Sequence, residues 1–153
     1  VNTSSTRRRI LEGFKARLEA ILRDGGYRTD AGTNVLLGEL PLMGDDDPEV
    51  AIVVIPGEET PLYVQVNITA TLPVRVLVLA KAVLDEPWVA VEDVLADVIT
   101  AIEQPDRTLG GLLTDPKQLV PGAVRPLPRE VGSLDVGVVV EYRVSYTRGW
   151  GAP

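Results

Sequence analysis

The chain has no cysteine and no histidine in 153 residues. Without cysteine no disulfide can staple the fold and no thiolate can act as a nucleophile. Without histidine the commonest general base and the commonest metal ligand are both missing. A Ser–His–Asp or Cys–His site is excluded, and a structural zinc site lacks both of its usual ligand types. Aromatic residues are few: one Phe, two Trp and four Tyr. Positive charge is scarce too, with 15 Lys and Arg against 22 Asp and Glu and a net charge of −7. That balance argues against the basic footprint that generic nucleic-acid binding needs. No apolar run approaches the roughly 20 residues of a membrane helix, and Arg75 and Lys81 interrupt the best candidate. The first residues carry no secretory-signal pattern. A reducing cytosol is compatible with the lack of cysteine but is not fixed by it.

What the chain does have is strict alternation. From Val64 to Val78 every even position is apolar: Val64, Val66, Ile68, Ala70, Leu72, Val74, Val76 and Val78. The odd positions begin polar, with Gln65, Asn67, Thr69, Thr71, Pro73 and Arg75. Period two buries one face of a sheet and wets the other. At about 3.3 Å per residue the run predicts a strand of roughly 50 Å. The expectation is a long, one-faced sheet, a better surface for assembly than a pocket for chemistry. Pro73 cannot donate to a ladder, so it is expected at an edge, bulge or bend that divides the run into two collinear strands.

The rest of the chain fills in around that run. Ile10, Leu11, Phe14, Leu18, Ile21 and Leu22 form a helical stripe over Thr6 to Asp24, capped by Ser4, Ser5 or Thr6 and stopped by Gly25-Gly26. Thr33 to Leu37 and Glu49 to Ile55 read as short strands, the second apolar throughout and therefore covered on both faces. Pro56 to Pro61 reads as a turn cluster. Antiparallel pairing of these neighbours is the default. Asp85-Glu86-Pro87 opens a second helix with an acid cap, and Pro105 ends it. Its apolar face holds Trp88, Val91, Val94, Leu95, Val98, Ile99 and Ile102, and its wet face Glu92, Asp93, Asp97, Thr100 and Glu103. Residues 104–123 read as a long flexible loop. A weaker edge strand follows over Val124 to Val131, then a turn at Gly132-Ser133-Leu134 and a final strand alternating through Val136, Val138, Val140, Tyr142, Val144 and Tyr146. A short tail over 147–153 closes a single domain. The sum is an α+β fold: a mostly antiparallel sheet of about five strands with two helices packed on one face.

Each cluster that could carry chemistry has a plainer reading beside it. Asp45, Asp46 and Asp47 with Glu49 could hold a hard cation, but they lack the spacing and the glycine of a calcium loop and read better as a solvated turn. Gly110-Gly111 followed by Lys117 lacks the pattern of a phosphate loop and reads as a flexible link. Asp93 and Asp97 lie four apart on a helix, and such a pair does acid–base work only where one of them is desolvated. Trp88 reads as an anchor to the core. Trp150, beyond the last strand among glycines, is a candidate contact for a neighbouring subunit, weighed against a tail packed on itself. Arg7, Arg8 and Arg9 form the one dense basic cluster and could meet residues 45–47 of another copy, which would orient subunits more than hold them.

Taken in order, four segments resemble the tail terminator proteins of long-tailed bacteriophages, also called tail completion or minor tail proteins. They are the opening helix ending Leu22-Arg23-Asp24-Gly25 with Thr33-Asn34-Val35, and the long strand running into Pro87-Trp88 and the helix of Val94 to Ile102. The other two are Asp106-Arg107-Thr108-Leu109-Gly110-Gly111, and Glu130 to Ser133 leading to Tyr142-Arg143-Val144-Ser145-Tyr146 and a Gly-x-Pro tail. The resemblance covers nearly the whole chain and rests on order and spacing. It implies an α+β subunit of a homo-oligomeric ring, commonly a hexamer. Such a ring caps the tail tube, ends its polymerisation and joins it to the head. It implies a structural viral protein and not an enzyme, with no cofactor or metal, no membrane contact and no direct nucleic-acid readout. The implied partners are further copies of itself, the major tail tube protein and the head–tail connector, in the virion tail and, during assembly, the host cytoplasm. Candidate interface residues are Arg7, Arg8, Arg9, Asp45, Asp46, Asp47, Arg107 and Trp150. Loops around 41–48 and 104–123 are expected to order on docking, and removal of 106–115 to spare folding while blocking head–tail joining. Two alternatives stay open: a head–tail connector or stopper subunit of the neck, and a small α+β enzyme using carboxylates with Lys or Arg.

Overall fold

The computed structural model describes residues 4–38, 46–64, 66–82, 84–127 and 135–152. Asp45, the turn expected at Gly132-Ser133-Leu134 and the end of the strand expected to reach Val131 lie outside them. Helix α1 spans Thr6–Glu19. Ser5 caps it, its hydroxyl accepting from the Arg8 N–H at 3.1 Å, which satisfies one of the helix's unpaired donors. Ile10, Leu11, Phe14 and Leu18 make its buried stripe. The helix ends before the expected Asp24 because the chain folds into a 3₁₀ turn, Arg23–Gly25, closed by left-handed Gly26. A second 3₁₀ turn, Ala31–Thr33, passes under the helix end and delays the first strand to Val35. The Gly32 N–H donates to the Ile21 carbonyl at 2.9 Å there. A Cβ at this position would lie 2.6–2.8 Å from the carbonyl oxygens of Glu19, Ile21 and Leu18.

The strands are β1 Val35–Leu37, β2 Val50–Pro56, β3 Thr60–Val64, β4 Asn67–Lys81, β5 Leu119–Pro126 and β6 Asp135–Gly149, with helix α2 at Pro87–Glu103 between β4 and β5. They form one six-stranded sheet in the order β1-β2-β4-β6-β5, with β3 also paired to β4. The fold is therefore α+β, with both helices on the sheet. The β1–β2 pair is parallel, against the antiparallel default, and the other pairings are antiparallel. No described helix is long and apolar enough to cross a membrane.

The alternating run is not one strand. Val64 pairs with Asn67, so the chain reverses between them, and β3 joins Thr60 and Pro61, the end of the expected turn, to Val64, the start of the expected long strand. The long strand starts at Asn67 and runs on to Lys81. Pro73 sits inside β4, neither at a sheet edge nor between two collinear strands. On one side β4 pairs with β6 over its whole length. On the other, β2 reaches Val74 and β3 reaches Thr71. Gly57, in the β2–β3 connection, donates to the Pro73 carbonyl at 2.7 Å. In an extended strand a residue's N–H and C=O point the same way, so the donor that proline lacks faces the gap between β2 and β3.

The core under the helices holds Ile52, Val54, Leu72, Val74, Val76, Val78, Val138, Val140, Tyr142 and Val144 from the sheet. Phe14 of α1 meets Tyr142 with ring centroids 5.9 Å apart. The opposite face is wetted along only part of the sheet. Ala51, Val53, Leu77, Leu79 and Val139 form a second buried cluster there, joined by Leu127. Gly137 makes room for it, since a Cβ would come within 2.8 Å of both Leu127 and Leu79. The one-faced expectation thus holds for the Asn67 half of β4 and fails for the Lys81 half.

Gly32→Ala is expected to destabilise the fold by about 3 kcal/mol, because three backbone carbonyls cannot rotate away from the new methyl. Urea unfolding of the variant beside the wild type measures this, and an unchanged midpoint would contradict the packing described.

Candidate functional site

Four of the five most exposed large apolar side chains among the described residues stand at the end of the sheet where β3, β4 and β6 run together; the fifth, Trp88, does not. Leu62 is 65%, Tyr63 64%, Val66 75% and Trp150 60% exposed. Tyr63 pairs with Ile68, and Ile68 with Arg148, so Tyr63 and Arg148 share the face on which the helices lie. Past Gly149 the chain turns, the Ala152 N–H donating to the Gly149 carbonyl at 3.2 Å. The turn lays Trp150 on Tyr63 with centroids 5.3 Å apart and planes 13° from parallel. Of the two readings weighed for Trp150, packing within the chain is present, yet the ring stays largely in solvent. Tyr63 lies between the expected turn, which ends at Pro61, and the alternating run, which begins at Val64, so neither pattern marks it. The β-favouring triplet Leu62-Tyr63-Val64 was the signal available.

The start of α1 reaches this end. Ser5, Arg7, Glu59, Tyr146, Arg148 and Ala152 line a hollow of about 450 Å³. The Tyr146 hydroxyl donates to Glu59, and the Arg7 guanidinium lies 3.5 Å from the same carboxylate. Burial first, and then the Glu59 carboxylate, push the Tyr146 hydroxyl up to about 12, so it remains a donor at neutral pH. The three arginines expected as one patch separate. Arg7 is tied to Glu59, Arg8 to Glu12 at 2.7 Å one turn along, and Arg9 makes no ion pair among the described residues.

The opposite end of the sheet is acidic. Asp46 and Glu49 precede β2, Asp85 and Glu86 precede α2, and all four are exposed. Trp88, two residues after Glu86, is 62% exposed rather than anchored in the core. In this first turn the helical stripe has run past the well-covered part of the sheet, where Leu84 and Ala90 are themselves only partly buried. Glu86 does not cap α2 with its side chain; its backbone is left-handed at φ 49°. A cleft of about 550 Å³ opens nearby, lined in part by Asp30, Thr33, Glu49, Asp93 and Val94. Asp93 faces Arg28 at 3.8 Å, and Asp30 faces Arg23 at 3.7 Å. No group of three or more acidic residues among those described is placed to hold a metal ion.

Two carboxylates expected in solvent or in a loose loop bind backbone instead. Asp97 is 3% exposed, not on the wet face. It accepts from the Arg28 N–H at 3.1 Å, the Thr29 N–H at 2.9 Å and the Thr29 hydroxyl at 2.7 Å, tying α2 to the segment after α1. Asp106 organises the segment that read as a flexible loop. It accepts from the Thr108 hydroxyl at 2.6 Å, from the Thr108 N–H at 2.9 Å and from Arg17 at 3.0 Å. The Thr108 hydroxyl most of all, then its N–H, then Arg17 and the Gly110 N–H hold the Asp106 carboxyl well below the usual range, against an opposing effect of burial. Leu109 and Leu113 enter the core at 7% and 4% exposure, and Leu119 already belongs to β5. Removal of 106–115 would therefore damage the fold, contrary to expectation. Arg107 points outward from this turn and forms no ion pair among the described residues.

Comparison with models of known protein families finds no match, and comparison with curated proteins finds no significant relative.

Asp97→Ala is expected to cost about 2–3 kcal/mol, because it leaves two backbone donors of a half-buried turn unpaired; thermal melts measure the loss. Asp106 should make stability depend on acidity. Its folded pKa is depressed, so its contribution is complete above the unfolded carboxylate value of about 4 and is lost as the pH falls towards the folded value. Wild type should exceed Asp106→Asn in stability at neutral pH, with the gap narrowing from about pH 4 downward. A gap of constant size in denaturant titrations down to pH 2.5 would refute this assignment.

Proposed function

We propose that this chain is a structural subunit of a bacteriophage tail terminator: a ring, of six copies in the usual arrangement, that caps the tail tube, ends its polymerisation and presents the surface to which the head is joined. The observation that carries the reading is the exposed Tyr63–Trp150 stack at the end of a long sheet, with Leu62 exposed on the sheet's other face and Val66 exposed just before β4. A stacked pair of exposed aromatic rings is suited to be covered by a partner, since Trp and Tyr are the residues that most often dominate such contacts. The α+β architecture, with two helices on a mostly antiparallel sheet, agrees with the resemblance of the sequence to that family. In this reading the protein works by contact, without catalysis, cofactor or membrane. Its partners are further copies of itself, the major tail tube protein and the head–tail connector, in the host cytoplasm during assembly and then in the virion tail.

Disrupting the gene in the phage or prophage genome that encodes the chain tests the reading by electron microscopy of the lysate. Filled heads beside unjoined tails of uncontrolled length are expected, with joining restored by the chain supplied in trans. Tails of normal length beside heads that lose their DNA would assign the neck-connector role instead. Normal yields of infectious particles would overturn both.

A further inference from the structure

The chain leaves its aromatic rings in solvent at two places, and these places are opposite in position and in charge. Among the described residues the largely exposed aromatics are Tyr63, Trp88 and Trp150. Tyr63 and Trp150 sit where Asn67 of β4 pairs with Gly149. Trp88 sits beyond the other end, where Lys81 pairs with Asp135. The fifteen residues of β4 separate the two ends, which at about 3.3 Å per residue is roughly 45 Å. Arg7 and Arg148 line the hollow at the first end and Arg9 lies one residue beyond Arg8 on the same helix turn, with Glu58 and the already engaged Glu59 as acids. At the second end Asp85, Glu86 and Glu92 are exposed close to Trp88 in sequence and Asp46 and Glu49 are exposed before β2, with Lys81 at the end of β4 as a base.

We infer that these ends are the two halves of one head-to-tail contact: the Tyr63–Trp150 stack and its arginines on one copy receive the Trp88 end and its carboxylates on the next. The inference deepens the ring reading and rests on it, since it names the partner of the exposed stack as a second copy of this chain. Charge complementarity selects that occupant. An acidic chain repels its own copies in most orientations, and this docking is one that brings arginines against carboxylates. Both halves also carry a large, rigid aromatic anchor of the type that concentrates binding energy. The two halves are different patches on each copy, so the contact is heterologous. A chain of such contacts closes into a ring when the rotation per copy allows.

Sedimentation velocity of the full chain from low micromolar to near-millimolar concentration tests this. Wild type should self-associate, and raising the salt from physiological to molar should weaken it. Trp150→Ala and Trp88→Ala should each weaken association about tenfold or more with unchanged melting curves, since both rings are exposed. Arg9→Glu with Arg148→Glu, and Glu86→Lys with Glu92→Lys, should each yield monomers that associate again when the two variants are mixed. A wild type that stays monomeric throughout overturns the inference, as does association indifferent to changes at both ends. Association indifferent to the variants would overturn this contact and leave the ring reading standing. Normal virions from the gene disruption would overturn the ring reading even where the contact holds.

Discussion

The structure depends on the pairing of β4 with β6. The two strands run antiparallel in register from Asn67↔Gly149 to Lys81↔Asp135 without a break. Each then has one free edge left. β5 takes that of β6, while β2 and β3 divide that of β4 end to end. Because side chains in a strand alternate with period two, one register fixes which residues meet the helices along both strands. A slip of one residue would turn either Leu72 and Val74 or Val140 and Tyr142 away from the helices, with the rest of that strand's apolar set. That penalty far exceeds the few kcal/mol by which a domain is stable. The proline in the middle of β4 is tolerated for the same reason: the ladder to β6 continues past it, and its missing donor faces the gap between the two partners that share the other edge.

This arrangement gives the sheet two unlike halves. Towards Lys81 it is buried on both faces, by the helices on one and by the Leu77–Leu79–Val139 cluster on the other. Towards Asn67 the second face carries Thr69, Thr71, Arg143 and Ser145 and is wet. Two carboxylates tie the helical layer together across long sequence separations. Asp97 on α2 holds the turn that follows α1, and Asp106 after α2 holds Arg17 on α1. Both accept from backbone N–H groups as well as from side chains. Their work is therefore to fix how the helices lie against each other, and neither is left free for acid–base chemistry.

Much of this was legible in the residues. The stripes of both helices except Leu22 and Trp88, the burial of Ala51 to Val54 in β2 and the alternation of β6 came through because one pattern dominates each segment. The α+β architecture followed from them. The errors share a cause: periodicity cannot see the neighbour that decides its meaning. The alternation through Val64 and Val66 continues across a reversal of the chain, so two strands looked like one. Pro61 and the glycine and acids before it hid the start of β3, although an edge strand tolerates proline. Asp97 looked solvated because four-residue spacing from Asp93 marks a face of the helix, but not what lies against it. Trp88 looked buried because its spacing matched Val91 and Leu95, while the covered part of the sheet ends before the helix's first turn. Trp150 could be singled out as a candidate contact, but its stacking partner lies 87 residues away in sequence and no local pattern points to it.

The exposed stack costs little to keep ready. Tyr and Trp have few rotatable bonds, and holding them against each other on a strand end removes most of their remaining freedom before any partner arrives. The electrostatics work on a different scale. A net charge of −7 repels a second copy at long range. At physiological ionic strength, however, the screening length is about 8 Å, several times shorter than the roughly 45 Å between the ends of β4. Most of the surplus negative charge is then hidden from an approaching copy, and the charges felt are those within the contact itself. At low ionic strength the overall repulsion gains range and competes with the local attraction. At molar salt the local attraction is itself screened. Complementary ends on an acidic body therefore favour association most strongly between these limits. An interface held by apolar contact alone would instead strengthen steadily as salt removed the repulsion. The shape of the salt dependence, more than its size, separates a contact organised by charge from one organised by burial.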